Sequence, residues 1–148
     1  MVEAANLMRL MRLLIWILGA TSLINGIAMF FAPSVWFFRL VPGVAETGPF
    51  NAHLVADSGT FFIAVGIGLL IAGSDPPRHV AVVVVAAVAN LMHSILHLYS
   101  HEAGLLSLDH LGTEVAGIYL PTIALIVIAI VLMRHGSHRQ VETRARAA

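Results

Sequence analysis

Four long apolar segments dominate this sequence, at residues 13–31, 53–72, 79–99 and 112–133. A bilayer core about 30 Å thick is crossed by roughly 20 residues of helix, and a helix satisfies its own backbone hydrogen bonds in lipid. The valine-rich third segment is too long, and too free of turn signals, to be a strand. The sequence therefore predicts an all-α membrane protein with four transmembrane helices.

Composition supports this prediction and excludes several classes of protein. Hydrophobic residues make up 59% of the chain and charged residues 11%, against about 45–50% and 25% in an average soluble domain. The chain has no cysteine, which excludes disulfide scaffolds, thiolate metal sites and iron–sulfur clusters. Its formal net charge is zero and it has no lysine, so we expect no nucleic-acid partner.

The links between the segments are short and contain helix breakers, such as Pro33, Pro42-Gly43 and Pro76-Pro77. Such breakers separate helices without leaving room for a second domain. Residues 1–148 are therefore expected to form one up-and-down four-helix bundle. The first segment is longer than the apolar core of a signal peptide, and we expect it to remain as a span.

Arginine distribution predicts the orientation of the bundle. Arg39 stands alone on one side, whereas seven arginines flank the other: Arg9, Arg12, Arg78, Arg134, Arg139, Arg144 and Arg146. Short flanks rich in arginine stay in the cytoplasm. We therefore expect a multi-pass protein of the cell inner membrane with both termini cytoplasmic and a polar cytoplasmic tail at 134–148. Its partners would be the lipid bilayer and, as an open alternative, a second copy or a larger membrane complex.

Small residues form stripes on the first two segments. Gly59, Gly66 and Gly73 are seven residues apart, and Gly19 and Gly26 form a comparable stripe together with Ser22. Small residues at helical spacing let helices approach closely in lipid. The two stripes predict close packing between the first two helices.

Ionisable side chains within spans are costly in lipid, so they indicate a functional site by default. Three pairs with i,i+4 spacing occur, one on each of the last three segments: His53 with Asp57, His93 with His97, and His110 with Glu114. Each pair occupies one helix face. The alternating topology brings all three to the same outer half of the membrane, where we expect them to meet.

Imidazole and carboxylate are ligands for iron, copper and zinc, and an i,i+4 pair offers two donors from one rigid helix. The sequence therefore predicts a site for one or two transition metal ions. Its expected ligands are His53, Asp57, His93, His97, His110 and Glu114. Asp57 and Glu114 are the candidates for a catalytic base. The leading hypothesis is a metal-dependent oxidoreductase that acts on a lipid-soluble or periplasmic substrate.

Other polar residues have simpler interpretations. We interpret His79, His101, His135 and His138 as residues of the membrane interface. Asn90 is expected to hydrogen-bond to Asn25 or Thr21 on the first helix, a contact that holds helices together in lipid. The pairs His53–Asp57 and His110–Glu114 have a structural alternative, as hydrogen-bonded pairs that stabilise the bundle.

Part of the chain resembles the DoxX-like family of small bacterial membrane proteins. The resemblance covers residues 10–75 and is carried by LIWILG (14–19), NG (25–26), FAP (31–33) and NAHLVADSG (51–59). It implies a four-helix membrane fold and, through relatives linked to quinone-dependent sulfur oxidation, a redox role. The histidines of the third and fourth segments match no motif of that family, so the metal hypothesis rests on their spacing.

Several alternatives stay open from the sequence. One is a subunit for electron transfer that binds a quinone, or a haem b held by His53 or His110 opposite His93 or His97. The carboxylates would be unneeded beside a haem. A zinc-dependent membrane hydrolase, a metal transporter and a structural accessory subunit are further alternatives. A transporter would need a second polar cluster near the cytoplasmic side, which the sequence lacks.

Overall fold

The computed structural model describes the backbone of residues 2–147 and the side chains of residue 3 and residues 5–135. Its first three long helices are Val2–Phe31, Ala52–Ser74 and Val80–Glu102. The fourth consists of an α-turn at Leu111–Glu114, a π-helical turn at Val115–Tyr119 and an α-helix at Leu120–Ala147. The sequence predicts a polar tail at 134–148. Its side chains from residue 136 onward, including that of His138, lie outside the described residues.

The all-α prediction is confirmed, because no strand occurs between residues 2 and 147. Among the described residues, four helical stretches are long and apolar enough to cross a membrane: Ala5–Phe31, Ala52–Ser74, Val80–Glu102 and Leu108–His135. Large apolar side chains such as Ile24, Phe61 and Ile123 are exposed on the outside of the bundle. An exterior of this kind matches lipid, which identifies a multi-pass membrane protein.

The helix starts follow from local chemistry. The Asn51 side chain accepts a hydrogen bond of 3.1 Å from the Leu54 backbone N–H and so caps the second helix. This bond satisfies a donor that the first helical turn leaves unpaired. Between the second and third helices, the chain turns at Pro76 and Pro77, where the Arg78 N–H donates to the Asp75 carbonyl.

The first and second helices pack closely along the predicted glycine stripes. A Cβ atom on Gly26 would lie 2.6 Å from the Ile63 backbone nitrogen, and one on Gly66 would lie 2.6 Å from that of Leu23. The Ser22 hydroxyl donates to the Phe62 carbonyl at 3.0 Å. The close packing expected from the stripes is therefore confirmed.

The third and fourth helices form a second packed pair. One of its polar links is the hydrogen bond of 2.8 Å between the hydroxyl groups of Ser94 and Thr122, both of which are buried. Asn90 does not bond to the first helix as expected: its side-chain amide donates to the Ala86 carbonyl in its own helix. In lipid, such a local bond satisfies the amide without a partner helix.

The two helix pairs join at one end of the bundle and separate at the other. Buried side chains from all four helices, including Ile15, Leu69, Val83 and Leu125, form the main core. This core lies toward the end that holds the Arg78 turn, which we call the Arg78 end. At the opposite end, which we call the Glu114 end, the two pairs leave a cavity between them.

The segment between the first and second helices folds back onto the Glu114 end. The Trp36 indole N–H donates to the Asn25 side-chain oxygen at 2.8 Å. Phe37 is buried against Met29 and Val55, and its ring also contacts Phe50. This segment therefore forms part of the cavity wall.

Candidate functional site

Glu114 is the central residue of the candidate site, and it is buried with 8% exposure. It lies immediately before the π-helical turn of the fourth helix. Pro121 lies two residues after the π-helical turn ends, and it has no N–H for the Gly117 carbonyl, so regular α-helical bonding cannot continue there. π-helical turns often occur at functional sites because they change the direction of nearby side chains.

Two histidines of the third helix contact the Glu114 carboxylate. The His101 Nε2 atom lies 2.7 Å from Oε2, and the His97 Nδ1 atom lies 3.3 Å from Oε1. Both imidazoles are largely shielded, with side-chain exposures of 10% and 20%. His97 and His101 are one turn apart on the same helix face. They therefore approach one carboxylate together, and we call these three residues the His–Glu cluster.

The hydrogen bonds of His101 define where protons reside. Its Nδ1 atom lies 3.2 Å from the Leu106 carbonyl, which can only accept, so Nδ1 carries a proton. The 2.7 Å contact between Nε2 and Glu114 then contains one more proton, held by either the ring or the carboxyl group. His101 therefore links Glu114 to the loop after the third helix through proton-bearing atoms.

His97 has a free hydrogen-bonding position. Its Nδ1 atom is buried and has no hydrogen bond, because its contact with Glu114 lacks hydrogen-bond geometry. A buried polar atom without a partner is destabilising and calls for an explanation. His97 also lines the cavity, so its imidazole lies beside any molecule bound there.

The neighbouring side chains extend this polar surface. The rings of His93 and His97 have centroids 4.7 Å apart, and the rings of Phe62 and His93 are nearly perpendicular with centroids 6.0 Å apart. Asn90 also lines the cavity, one turn closer to the Arg78 end. One side of the cavity therefore carries a row of polar side chains from the third helix, with Glu114 beside it.

The cavity has a volume of about 640 Å³ and lies between the two helix pairs. Most of its wall is apolar, including Leu18, Val55, Leu69 and Leu125. Its size falls within the range of about 300–1,000 Å³ that is typical of small-molecule sites. It is therefore a ligand-sized apolar space with polar groups concentrated at the Glu114 end.

His53 and Asp57 do not reach this cavity, contrary to expectation. Their side chains lie 3.2 Å apart and are 86% and 57% exposed. The buried face of the second helix is set by Val55 and Gly59, and a position two residues from Val55 points about 160° away from it. The pair is therefore formed, but on the outward face of the helix.

The expected pair of His110 and Glu114 does not form. His110 instead binds Glu46, with 2.9 Å between Nε2 and Oε1. His110 ends a 3₁₀ turn at Leu108–His110, so the α-helical i,i+4 geometry is not present between it and Glu114. The prediction that three pairs meet at one centre is therefore wrong.

The structure keeps part of the predicted site and adds residues to it. His97 and Glu114 are in contact and His93 is adjacent, whereas His101, expected at the interface, belongs to the cluster. Within the part of the chain whose side chains are described, no three His, Asp or Glu residues are arranged to hold a metal ion. The i,i+4 spacing of His97 and His101 is the sequence signal that could have placed His101 in the cluster. Its position near a helix end instead favoured the interpretation as a residue of the membrane interface.

Comparisons with known proteins add no assignment to this geometry. Neither the family models, nor the curated proteins, nor the solved structures gave a match to this chain.

Proposed function

We propose that this membrane protein binds a lipid-soluble molecule of the quinone class in the cavity and exchanges protons with it through the His–Glu cluster. The observation that supports the proposal is the buried Glu114 carboxylate between two imidazoles at the polar end of an apolar cavity. Ionisable groups within a membrane span are costly, so their concentration beside a cavity favours a ligand-directed role over a purely structural one.

The chemistry of a quinone fits this wall. A quinone has a flat apolar ring with two carbonyl oxygens, and its reduced form carries hydroxyl protons in their place. Such a molecule needs an apolar space, a hydrogen-bond partner for its oxygen and groups that give or take a proton. The cavity offers these through its leucine and valine lining, the His97 imidazole and Glu114.

The cluster would pass a proton between the cavity and the adjacent loop. His97 and Glu114 line the cavity, and Glu114 shares a proton with His101. On its other side, the His101 ring bonds to the Leu106 carbonyl in the loop that precedes the fourth helix. In this scheme His97 binds the ligand oxygen, Glu114 takes the hydroxyl proton of the reduced ligand, which leaves the ligand's oxygen anion, and returns it in the reverse step, and His101 connects Glu114 to the loop.

We also propose that the Glu114 end faces the outer side of the cell inner membrane. The positive-inside bias supports this orientation, since the Arg78 end carries every arginine except Arg39. Both termini would then be cytoplasmic, and protons would be exchanged on the outer side.

Tryptophan fluorescence offers a direct binding test, because the chain has two tryptophans. Trp36 lines the cavity, whereas the ring of Trp16 lies beside Gly73 near the Arg78 end. In the Trp16→Phe variant, we expect a benzoquinone with a decyl chain to quench Trp36 fluorescence with a saturable dependence on concentration. In the Trp36→Phe variant, Trp16 should show only non-saturable quenching from probe dissolved in the detergent. If Trp36 also responds without saturation, the cavity does not bind this class of molecule.

A metal-dependent oxidoreductase is the second candidate, and one observation favours it. Two imidazoles and one carboxylate contact each other in the His–Glu cluster, and this ligand set is typical of non-haem iron and also suits zinc. The three side chains are not arranged to hold a metal ion in this structure, so His97, His101 and Glu114 would have to move toward one point before they could hold a metal that supplies Lewis-acid or redox chemistry. The haem alternative receives no such support, because His53 and His110 contact Asp57 and Glu46 instead.

Elemental analysis of protein purified without added metal tests the second candidate. If the cluster holds a metal, His97→Ala and His101→Ala should each lower the metal content, since each removes a ligand. His135→Ala is the control, because His135 is exposed and its ring bonds to the Val131 carbonyl of its own helix. Equal loss in the control would indicate adventitious binding. Metal-free protein that still binds the benzoquinone probe would contradict the metal candidate.

A further inference from the structure

Asn25 lines the cavity from the first helix, and His97 and Glu114 line it from the other side. The first helix belongs to one packed pair of helices, whereas His97 and Glu114 belong to the other pair. The cavity separates the two pairs at this end of the bundle. A molecule in the cavity therefore lies between the Asn25 side chain and the His–Glu cluster.

Asn25 and His97 lie at a similar depth along the bundle. The Ser22 hydroxyl donates to the Phe62 carbonyl at 3.0 Å, and the ring centroids of Phe62 and His93 are 6.0 Å apart, so Ser22 and His93 are near the same level. Asn25 follows Ser22 and His97 follows His93 in the direction of the cluster, by about 4.5 Å and about 6 Å of helix rise. The two side chains are therefore about one helical turn beyond the same level.

The hydrogen bond from Trp36 fixes the direction of the Asn25 amide. The Trp36 indole N–H, which can only donate, lies 2.8 Å from Oδ1 of Asn25, so the amide oxygen must point toward Trp36. The amide nitrogen contacts the Met29 sulfur at 3.6 Å, and a thioether is a weak acceptor. One amide hydrogen therefore has no acceptor among the described residues and is available to a molecule in the cavity.

We propose that Asn25 donates a hydrogen bond to the second oxygen of the ligand whose first oxygen lies at the His–Glu cluster. The inference rests on the proposed function and makes the ligand more specific: a ring with oxygens on two opposite carbons, as in a para-quinone. The amide N–H can donate to a carbonyl oxygen and to the hydroxyl oxygen of the reduced form. Asn25 would therefore hold the ring across the cavity in both oxidation states.

Two substitutions of Asn25 test the proposal, and the same substitutions of Asn6 are the matched controls. Asn25→Asp keeps an oxygen that can accept from the Trp36 indole but removes the amide hydrogens. Asn25→Leu removes both groups and adds no charge, so it guards against an effect of the new carboxylate. Asn6 is exposed near the start of the same helix and lines no part of the cavity.

The measurement is quenching of Trp36 by the decyl benzoquinone in the Trp16→Phe background, with a phenol that carries the same decyl chain as a competitor. The phenol has one oxygen, which the proposal places at the His–Glu cluster. We expect Asn25→Asp and Asn25→Leu to weaken binding of the benzoquinone about tenfold, through loss of one hydrogen bond. Binding of the phenol should change by less than about twofold. The Asn6 variants should match the unmodified protein with both compounds.

The possible outcomes separate this inference from the proposed function. Selective loss of benzoquinone binding in both Asn25 variants supports the inference. If either variant binds the benzoquinone as the unmodified protein does, or if binding of the phenol weakens equally, Asn25 does not hold the second oxygen and the inference is wrong, although the ring site stands. If the benzoquinone gives no saturable quenching in the unmodified protein, the proposed function itself fails.

Discussion

Replacing Glu114 by glutamine is expected to weaken binding of the decyl benzoquinone by about tenfold to a hundredfold. The substitution keeps the size of the side chain but removes the carboxylate that contacts His101 and His97 at 2.7 and 3.3 Å, so His97, which binds the ligand oxygen in the proposed scheme, loses the group that positions it. A hydrogen bond to a charged group contributes about 1.5–3 kcal/mol, which corresponds to this range of affinity. The measurement is the Trp36 quenching titration in the Trp16→Phe background.

Asp57→Asn is the matched control for this prediction, because it makes the same chemical change at an exposed carboxylate of the Glu114 end. The Asp57 side chain pairs with His53 on the outward face of the second helix, away from the cavity, so the binding curve should stay unchanged. Exposed ion pairs also contribute little to stability. If Glu114→Gln binds the probe as the control does while remaining folded, the carboxylate has no role in binding and the cluster is structural.

Replacing Gly66 by alanine is expected to lower the melting temperature of the bundle. Among glycine-to-alanine substitutions on the first two helices, we expect an effect of similar size only for Gly26→Ala. The new Cβ atom would lie 2.6 Å from the Leu23 nitrogen and 2.8 Å from its Cα. These are backbone atoms, so one helix must move away from the other. Overpacking of this kind costs about 1–3 kcal/mol. Thermal unfolding of the purified protein in detergent measures the effect.

Gly112→Ala is the control for the packing prediction, since a Cβ atom there has nothing within 4 Å. Both substitutions remove a helical glycine, which by itself favours folding by about 0.5–1 kcal/mol. We therefore expect Gly112→Ala to be neutral or slightly stabilising, in contrast to Gly66→Ala. Equal melting temperatures for the two variants would mean that the first two helices pack less tightly than the structure indicates.

Residue spacing predicted part of the candidate site, namely which side chains share one face of a helix. The i,i+4 rule correctly placed His93 and His97 on one face of the third helix, and topology correctly brought them to the same end as Glu114. The ligand role of these side chains stays a prediction, as does the resemblance to the DoxX-like family. What spacing could not give was the rotation of each helix about its axis, which decides whether a face points inward.

The sequence by itself determined the features that depend on local composition. The number and approximate bounds of the spans follow from apolar length, and the close packing of the first two helices follows from the glycine stripes. These features depend on backbone hydrogen bonding in lipid and on side-chain size. Apolar length and the spacing of small residues can both be read from a short stretch of sequence.

Only the tertiary structure decided which polar side chains meet. His53 points outward because Val55 and Gly59 occupy the packed face of its helix. His110 belongs to a 3₁₀ turn and pairs with Glu46, 64 positions away in the chain. Glu114 is therefore left to His97 and His101. Helix rotation and the course of the loops arise from packing over the whole bundle, so no local pattern encodes these partners.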